Sequence, residues 1–472
     1  MSYYLAIDQG SHASRAFLFD ETGNIAASCS NDVVANRPAY GRVEHDAGQL
    51  LFSVRDVLAE LITGLDRREQ EKIIVCGIAT QRSTVLAWQS NGEPIGPVLS
   101  WQDVRAADFV ETLRSHERRI QQLTGLPLSA HYGASKLGWL LGEISPASVV
   151  KQEEIRLSPL VSFLLYHLIE NKPYVVDHSN AQRTQLMDLV KLDWSKQLTQ
   201  WFGVPVNYLP ECKPMLANYG ILSGTQVSVT AVCGDQNAAL FGTGEISNDT
   251  ALINLGSGAF ILRPLPEHTA SQKQLTGIAS SGNKTVSYLR EATINGAGSA
   301  LSWVAEKYGI DDIRQRLPAW LQTIEAPPLF INTVGGLGSP WWRQDIEAEF
   351  IGHNDFNNKG ALVVAVIESI AFMLFANIVL MMEESPLKIL RVSGGLSNVD
   401  GLCQKLASLS RLTVERTDNP EATARGVAWL AAGSPADWGS PGTTDIFRPI
   451  PDKALNQRYS QYIKILEIKL GE

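Results

Sequence analysis

Leu5-Ala-Ile-Asp-Gln-Gly-Ser-His-Ala-Ser-Arg-Ala-Phe-Leu-Phe19 decides how this chain is read. Two apolar stretches flank a short polar turn, which predicts two strands joined by a tight hairpin. Gly10 is expected to take a backbone angle that a Cβ would forbid. The backbone N–H groups of Ser11, His12 and Ala13 would then point into one concavity, a nest suited to an anion. Asp8 stands at its mouth. A carboxylate beside an anion nest is repulsive unless a cation lies between, which points to Mg2+ carrying a phosphate. Taken alone, such a turn reads as an ordinary hairpin, and three further stretches reverse that reading.

Ile73–Ala79 is a continuous apolar run, the pattern of a strand buried on both faces, and Val227–Val232 reads as another buried strand. The first ends in Thr80-Gln-Arg-Ser83 and the second in Cys233-Gly-Asp-Gln236. Open α/β sheets bind ligands at the carboxyl ends of such strands. Trp101 and Gln102 end a further strand that starts at Pro97. Ala251 to Leu262 repeats the opening design around Gly256-Ser-Gly258, as a duplication with a cleft between its copies would. Leu390 to Leu396 is a strand ending in Gly394-Gly395, and a backbone passing close to a flat ligand needs glycine there.

The Gly/Ser/Asn/Asp-rich connector from Gly242 to Asp249 separates halves 1–245 and 246–472. Helical spacing predicts helices over Asp46–Leu65, Gly298–Tyr308, Lys359–Glu384 and Ala422–Ala432. Within Lys359–Glu384, the apolar run of about Ala361 to Met382 could almost span a bilayer, but Glu368, Ser369 and Asn377 fall within it; a buried core helix is expected instead. Residues 433–472 read as a peripheral tail with one amphipathic helix.

A chain of 472 residues is too long for one core, so two large domains are expected. Hydrophobic content of 44% and charged content of 19% are ordinary for a globular protein. A net charge of −9 argues against a nucleic-acid partner. The five cysteines are scattered without a CxxC pair, which indicates neither zinc nor a disulfide framework and suits a reducing cytoplasm. The first strand begins at once, and no secretion signal is expected.

Phosphoryl transfer to a hydroxyl needs phosphate donors, a metal-side carboxylate and a base. Asp8 supplies one carboxylate and Asp235 the other. Asp235 is equally placed to cap a helix, although its polar neighbour Gln236 is not needed for a cap. Arg82, at the mouth of a doubly buried strand, reads as aimed at a ligand.

These stretches, with Val43-Glu-His-Asp46, Asn180-Ala181, Arg183-Thr184, Gly336-Leu-Gly338 and Glu368-Ser-Ile-Ala371, run in family order from Ala6 to Gly395. In them the chain resembles the FGGY carbohydrate kinases, and it looks closest to their glycerol kinase branch. The resemblance implies an α/β, two-domain actin/Hsp70/hexokinase-like (ribonuclease H-like) fold with ATP and Mg2+ in an interdomain cleft. Ser11, His12, Ala13, Arg15, Gly256, Ser257, Gly258, Gly298, Ser302, Gly394 and Gly395 would face the nucleotide. Asp8 would be the metal-side carboxylate and Asp235 the catalytic base. Arg82, Ser83, Trp101, His131, Asp235 and Gln236 would line the acceptor pocket.

The chain also departs from that branch. Glycerol kinases carry Arg-Glu where this chain has Arg82-Ser83, and that glutamate binds substrate hydroxyls. They carry a tyrosine where His131 falls, and Thr-Thr-Ser where Ser11-His12-Ala13 stands. Ser302 replaces a glutamine and Val399 an asparagine, and the segment from Ile351 to Asn358 replaces a family signature. The implied function is ATP-dependent phosphorylation of a hydroxyl of a small polyol or sugar. The missing glutamate favours an acceptor other than glycerol, such as the ketopentoses ribulose and xylulose. A non-catalytic sugar- or nucleotide-binding regulator of the same fold is the competing reading. The expected partner is a small molecule, with neither nucleic acid nor membrane, and a homodimer is admitted.

Overall fold

The computed structural model describes residues 2–144, 151–352, 358–417, 421–439 and 442–471. The opening hairpin forms as β1 (Tyr3–Gln9) and β2 (Ala13–Phe19), with Asp8 opposite Arg15. Its turn is closed by the Gly10 N–H, which donates to the Ala13 carbonyl at 2.9 Å. Gly10 is not among the residues of positive φ. Crowding sets the need for glycine instead, since a Cβ there would lie 3.3 Å from the Ala13 oxygen.

Four more strands complete the first sheet: β3 (Ile25–Asp32), β4 (Ile73–Thr80), β5 (Leu216–Ile221) and β6 (Ser228–Gly234). The order is β5-β6-β4-β1-β2-β3, with β6, β4 and β1 parallel. The apolar run of β4 is fully buried only from Cys76 onward, because Ile74 protrudes. α1 (Ala47–Thr63) covers the meander with Leu50, Val54, Val57 and Leu61, and the Asp46 side chain caps it by accepting from the Gln49 N–H. A smaller sheet built from Glu44–His45, Val85–Gln89, Val98–Leu99 and Ile155–Pro159 carries α2 (Gly133–Glu143). Two short helices, α3 (His178–Gln182) and α4 (Asp235–Ala239), lie near the ends of the first sheet's parallel strands.

The second sheet contains β7 (Thr250–Leu255), β8 (Ala259–Leu265), β9 (Leu275–Ser281), β10 (Val286–Ile294), β11 (Ile389–Ser393), β12 (Thr413–Thr417) and β13 (Thr443–Phe447). Its order is β9-β10-β8-β7-β11-β12-β13, with β7, β11 and β12 parallel. Each sheet thus joins an antiparallel meander to parallel strands. α5 (Gly298–Tyr308) follows β10, and α6 (Lys359–Glu384) runs through the second core. In its most apolar stretch, 89% of α6 is buried. Glu368 is tolerated there because Lys405 and Arg458 reach it at 2.9 and 2.6 Å.

Two parts of the chain pack differently from expectation. α7 (Ala422–Ala431), in the second half of the sequence, lies on the first sheet and gives Ala424, Val427 and Ala428 to its core. Residues 433–472 are no peripheral tail. β13 extends the second sheet, and α8 (Lys453–Leu470) buries Leu455, Tyr462, Leu466 and Leu470 in the second core. One apolar stripe among polar residues suffices for that, so amphipathic spacing does not distinguish an attached helix from a loose one. Of the unusual segment 351–358, residues 353–357 lie outside the described residues.

The seating of α7 requires small residues. A Cβ on Gly426 would overlap the Ala238 carbonyl, whereas one on Gly142 would meet nothing within 4 Å. Gly426→Ala is expected to destabilise the protein by about 1–3 kcal/mol. Gly142→Ala, in the exposed turn of a helix, is expected to be neutral or slightly stabilising. Denaturant midpoints of the two variants check this.

Candidate active site

The parallel register sets Asp8 of β1 beside Ala79 of β4, and Gly234 of β6 beside Thr80. Three strand ends therefore bring Asp8, Arg82 and Asp235 together. Asp235 is the first residue of α4, and its Oδ1 accepts the Gln236 N–H at 2.7 Å. The same oxygen lies 3.6 Å from Arg82 Nε, and the side chain remains 28% exposed. Asp235 is therefore not the cap of α4, a place taken by Gly234 without a side-chain bond, and its carboxylate stays partly exposed. Burial raises its pKa above the ordinary carboxylate value, with Arg82 opposing. Burial also pushes Asp8 up to about 6, opposed by Arg15 and reinforced by Asp235 and Glu421. Arg15 lies between two carboxylates, donating to Asp8 at 2.6 Å and to Glu421 at 2.5 Å.

Arg82 makes a two-pronged contact with Glu291, at 3.0 Å from each nitrogen, and a third bond to Asn237 at 3.3 Å. Arg183 donates to the same Glu291. Burial alone would raise this carboxyl, but Arg183 and Arg82 overcome it and hold it down to about 2. Glu291 arrives from the second sheet on the β9–β10 hairpin, which is pinned to the first domain. Gln182 Nε2 donates to the Thr276 carbonyl at 2.7 Å, and Asn237 Nδ2 to the Ile278 carbonyl at 2.6 Å.

The same strand ties in the glycine turn. A Cβ on Gly258 would lie 2.8 Å from the carbonyl of Ile294, three residues, or roughly 10 Å, beyond Glu291. The carbonyls of Gly256 and Ser257 receive the first N–H groups of α5, from Gly298 at 3.0 Å and Ser299 at 2.9 Å. Ser257 and Ser302 are exposed. Gly394 has φ +87°, and a Cβ there would meet Asn254 Oδ1 at 2.7 Å, while one on Gly395 would meet open space.

Across the first domain, Trp101 Nε1 donates to Ser11 Oγ at 2.7 Å, joining the strand end at Trp101 to the opening turn. His12 is exposed, and its carbonyl accepts from the Val33 N–H at 2.8 Å. The His131 ring stands edge-on to Trp101 and Tyr132 at 5.4 and 5.3 Å. Burial holds His131 neutral, with its pKa lowered to about 3. Ser83 has φ +63°, and its hydroxyl is turned away to the Arg183 carbonyl at 3.3 Å. Gln236 Oε1 is buried without a hydrogen-bond partner among the described residues.

Sequence reading did not single out Glu291 or Glu421, and noted Arg183 only within a motif. One signal was available: Arg290 and Glu291 are consecutive charges inside an apolar strand, and both are buried. Neighbours in a strand face opposite ways. Arg290 accordingly pairs with Glu384, and Glu291 with Arg82 and Arg183.

Glu291→Gln leaves two buried arginines without their counter-charge, and is expected to cost about 3–5 kcal/mol of stability. The carboxyl titrates below its ordinary value of 4.5 in the fold. Its contribution is therefore complete above that pH and is lost as pH falls toward about 2. Unfolding free energies of wild type and variant should converge over that interval.

Residues 3–242 match the N-terminal domain of the FGGY family of carbohydrate kinases, and residues 251–434 match its C-terminal domain. A glycerol kinase of Synechocystis sp. is 31% identical over 454 residues, covering 92% of this chain and 91% of the relative. A glycerol kinase of Xanthomonas campestris pv. campestris is 30% identical over 494 residues, covering 99% and 98%. The crystal structure of Plasmodium falciparum glycerol kinase with ADP superposes with a TM-score of 0.88 at 25% identity, covering 99% and 98%. A ligand-bound xylulose kinase from Lactobacillus acidophilus shares the fold, with a TM-score of 0.88 at 19% identity over 100% and 99% of the two chains. With both domains matched and a relative 31% identical over nearly its whole length, this chain belongs to the FGGY family of carbohydrate kinases, phosphotransferases that act on an alcohol group.

Proposed function

We propose that the chain transfers the terminal phosphoryl group of ATP to a hydroxyl of a polyol or ketose larger than glycerol, with Asp235 as the base. The observation that carries this is the pairing of Asp235 with Gln236. A partly exposed carboxylate of raised pKa stands next to a buried amide oxygen that lacks a donor. A bound acceptor would satisfy both, one hydroxyl donating to Gln236 and the reacting one to Asp235. As the oxygen of the reacting hydroxyl attacks the γ-phosphorus, its proton passes to Asp235. The bond from that phosphorus to the β-phosphate oxygen breaks, and ADP leaves. Arg82 keeps the carboxylate aimed, and positioning within the cleft supplies much of the acceleration.

Among the described residues no three metal-ligating side chains cluster, so the protein's share of a divalent cation site would be the carboxylates Asp8 and Asp235, the rest coming from phosphate oxygens and water. Asp8 would hold Mg2+, which when bound neutralises phosphate charge. The turn at Ser11–Ala13 and the turn at Gly256–Gly258 would receive the phosphates, with Gly298, Ser302, Gly394 and Gly395 bordering the nucleotide. Arg15, already between Asp8 and Glu421, would reach the phosphates from that position. The larger acceptor is supported by Ser83, which offers no carboxylate and whose hydroxyl is engaged. Glycerol would lose there the charge-assisted hydrogen bonds that a carboxylate offers its hydroxyls, and an acceptor with further hydroxyls can make contacts elsewhere.

ADP release with glycerol, erythritol, ribulose and xylulose tests the proposal. Higher kcat/KM on a four- or five-carbon acceptor is expected. Glycerol as the best substrate overturns the larger-acceptor reading, and no turnover on any acceptor by folded protein overturns the whole. Asp235→Asn is expected to lower kcat by about 10²–10⁴-fold while ATP binding, read by calorimetry, persists. Because Asp235 must be ionised to take the proton, kcat/KM should fall on the acid side, with a midpoint above the 3.8 of a free aspartate.

A further inference from the structure

Three loops make up the acceptor wall, and all three are tied to one buried side chain. Lys136, on α2, is fully buried. Its ammonium donates to the carbonyls of Ser83 at 2.8 Å, Ser100 at 2.9 Å and His131 at 2.9 Å. Ser83 follows Arg82, Ser100 precedes Trp101, and His131 is itself a wall residue. An ammonium has three N–H donors, and here each has its own loop. Ser83 is held in the left-handed region at φ +63°, a conformation that persists only where surroundings enforce it.

We infer that Lys136 is a positioning residue for the acceptor pocket, a three-way clamp that sets the spacing of Arg82, Trp101 and His131 without touching substrate. This rests on the assignment of those three residues to the acceptor wall. The burden on one charge is considerable. Burial lowers the Lys136 pKa to about 7, with Asp103 opposing and Arg105 adding to the fall. His131 also faces it, and the Lys136 charge helps keep that imidazole neutral. A deprotonated amine has two N–H groups for three carbonyls, so one loop is released as pH rises.

Kinetics of the wild type against pH, and of Lys136→Met, test the clamp. In the wild type, KM for the acceptor should climb above about pH 7 while KM for ATP stays level. In Lys136→Met, acceptor KM should be raised about ten- to a hundredfold, consistent with loops displaced by about 1 Å, and should lose that pH dependence. Hydrogen–deuterium exchange supplies a readout that needs no turnover. In the variant, exchange should rise in the segments 81–84, 99–102 and 129–133 and stay unchanged in the 250–265 hairpin. Unchanged exchange in those three segments overturns the clamp whatever the chain phosphorylates. So does a rise spread evenly over the molecule, which marks general loosening, or an acceptor KM that is flat with pH in the wild type. Failure of the wild type to phosphorylate any acceptor counts instead against the proposed reaction, and the exchange pattern still decides the clamp.

Discussion

The structure depends on a single buried carboxylate shared between two arginines. Glu291 comes from the second sheet, and Arg82 and Arg183 come from the first domain. Taking three charged groups out of water is costly, and the geometry must be close to ideal for their attraction to offset it. The two-pronged contact to Arg82 meets that demand. The cluster therefore fixes how the two halves meet, and it does so directly beneath the proposed base. Arg82 is divided between Glu291 and Asp235. The residue that holds the domains in register is thus the one that lies beside the proposed catalytic carboxylate.

The rest of the site follows from strand polarity. Parallel neighbours end at the same edge of a sheet, so residues distant in sequence become adjacent without special contacts. Asp8, Arg82 and Asp235 meet in this way in the first sheet. Gly256 and Gly394 meet in the same manner in the second, where β7 lies beside β11. The meanders attached to each set serve a different purpose. The first supplies the turn at Ser11, to which Trp101 donates a hydrogen bond. The second extends β10 from the glycine turn to Glu291, linking the two regions through one stiff strand.

Much of this was legible from local patterns. The apolar spacing after Asp46 placed α1 to within two residues at each end, and the helices Gly298–Tyr308 and Lys359–Glu384 were read with their observed bounds. Polar residues at the ends of apolar runs pointed to Asp8, Arg82, Trp101, Asp235 and Gln236, which the fold gathers. Glu291 could have been picked out by the paired charges in its strand, whereas Glu421 and Lys136 carry no local signature. Glu421 precedes a helix that could have packed on either sheet. Lys136 lies in a helix whose composition is ordinary, and its importance arises from three carbonyls 5 to 53 positions away in sequence.

By itself the sequence determined most of the elements, though not β13, together with the two hairpin turns and the types of group at each strand end, because hydrophobic period and turn chemistry are local properties. Only the tertiary structure decided partners. It gave Arg82 to Glu291, placed Arg15 between Asp8 and Glu421, returned α7 to the first sheet and set Lys136 at the junction of three loops. Those choices turn on which charges are taken out of water together. Such a cost is settled by long-range packing, and no window along the chain records it.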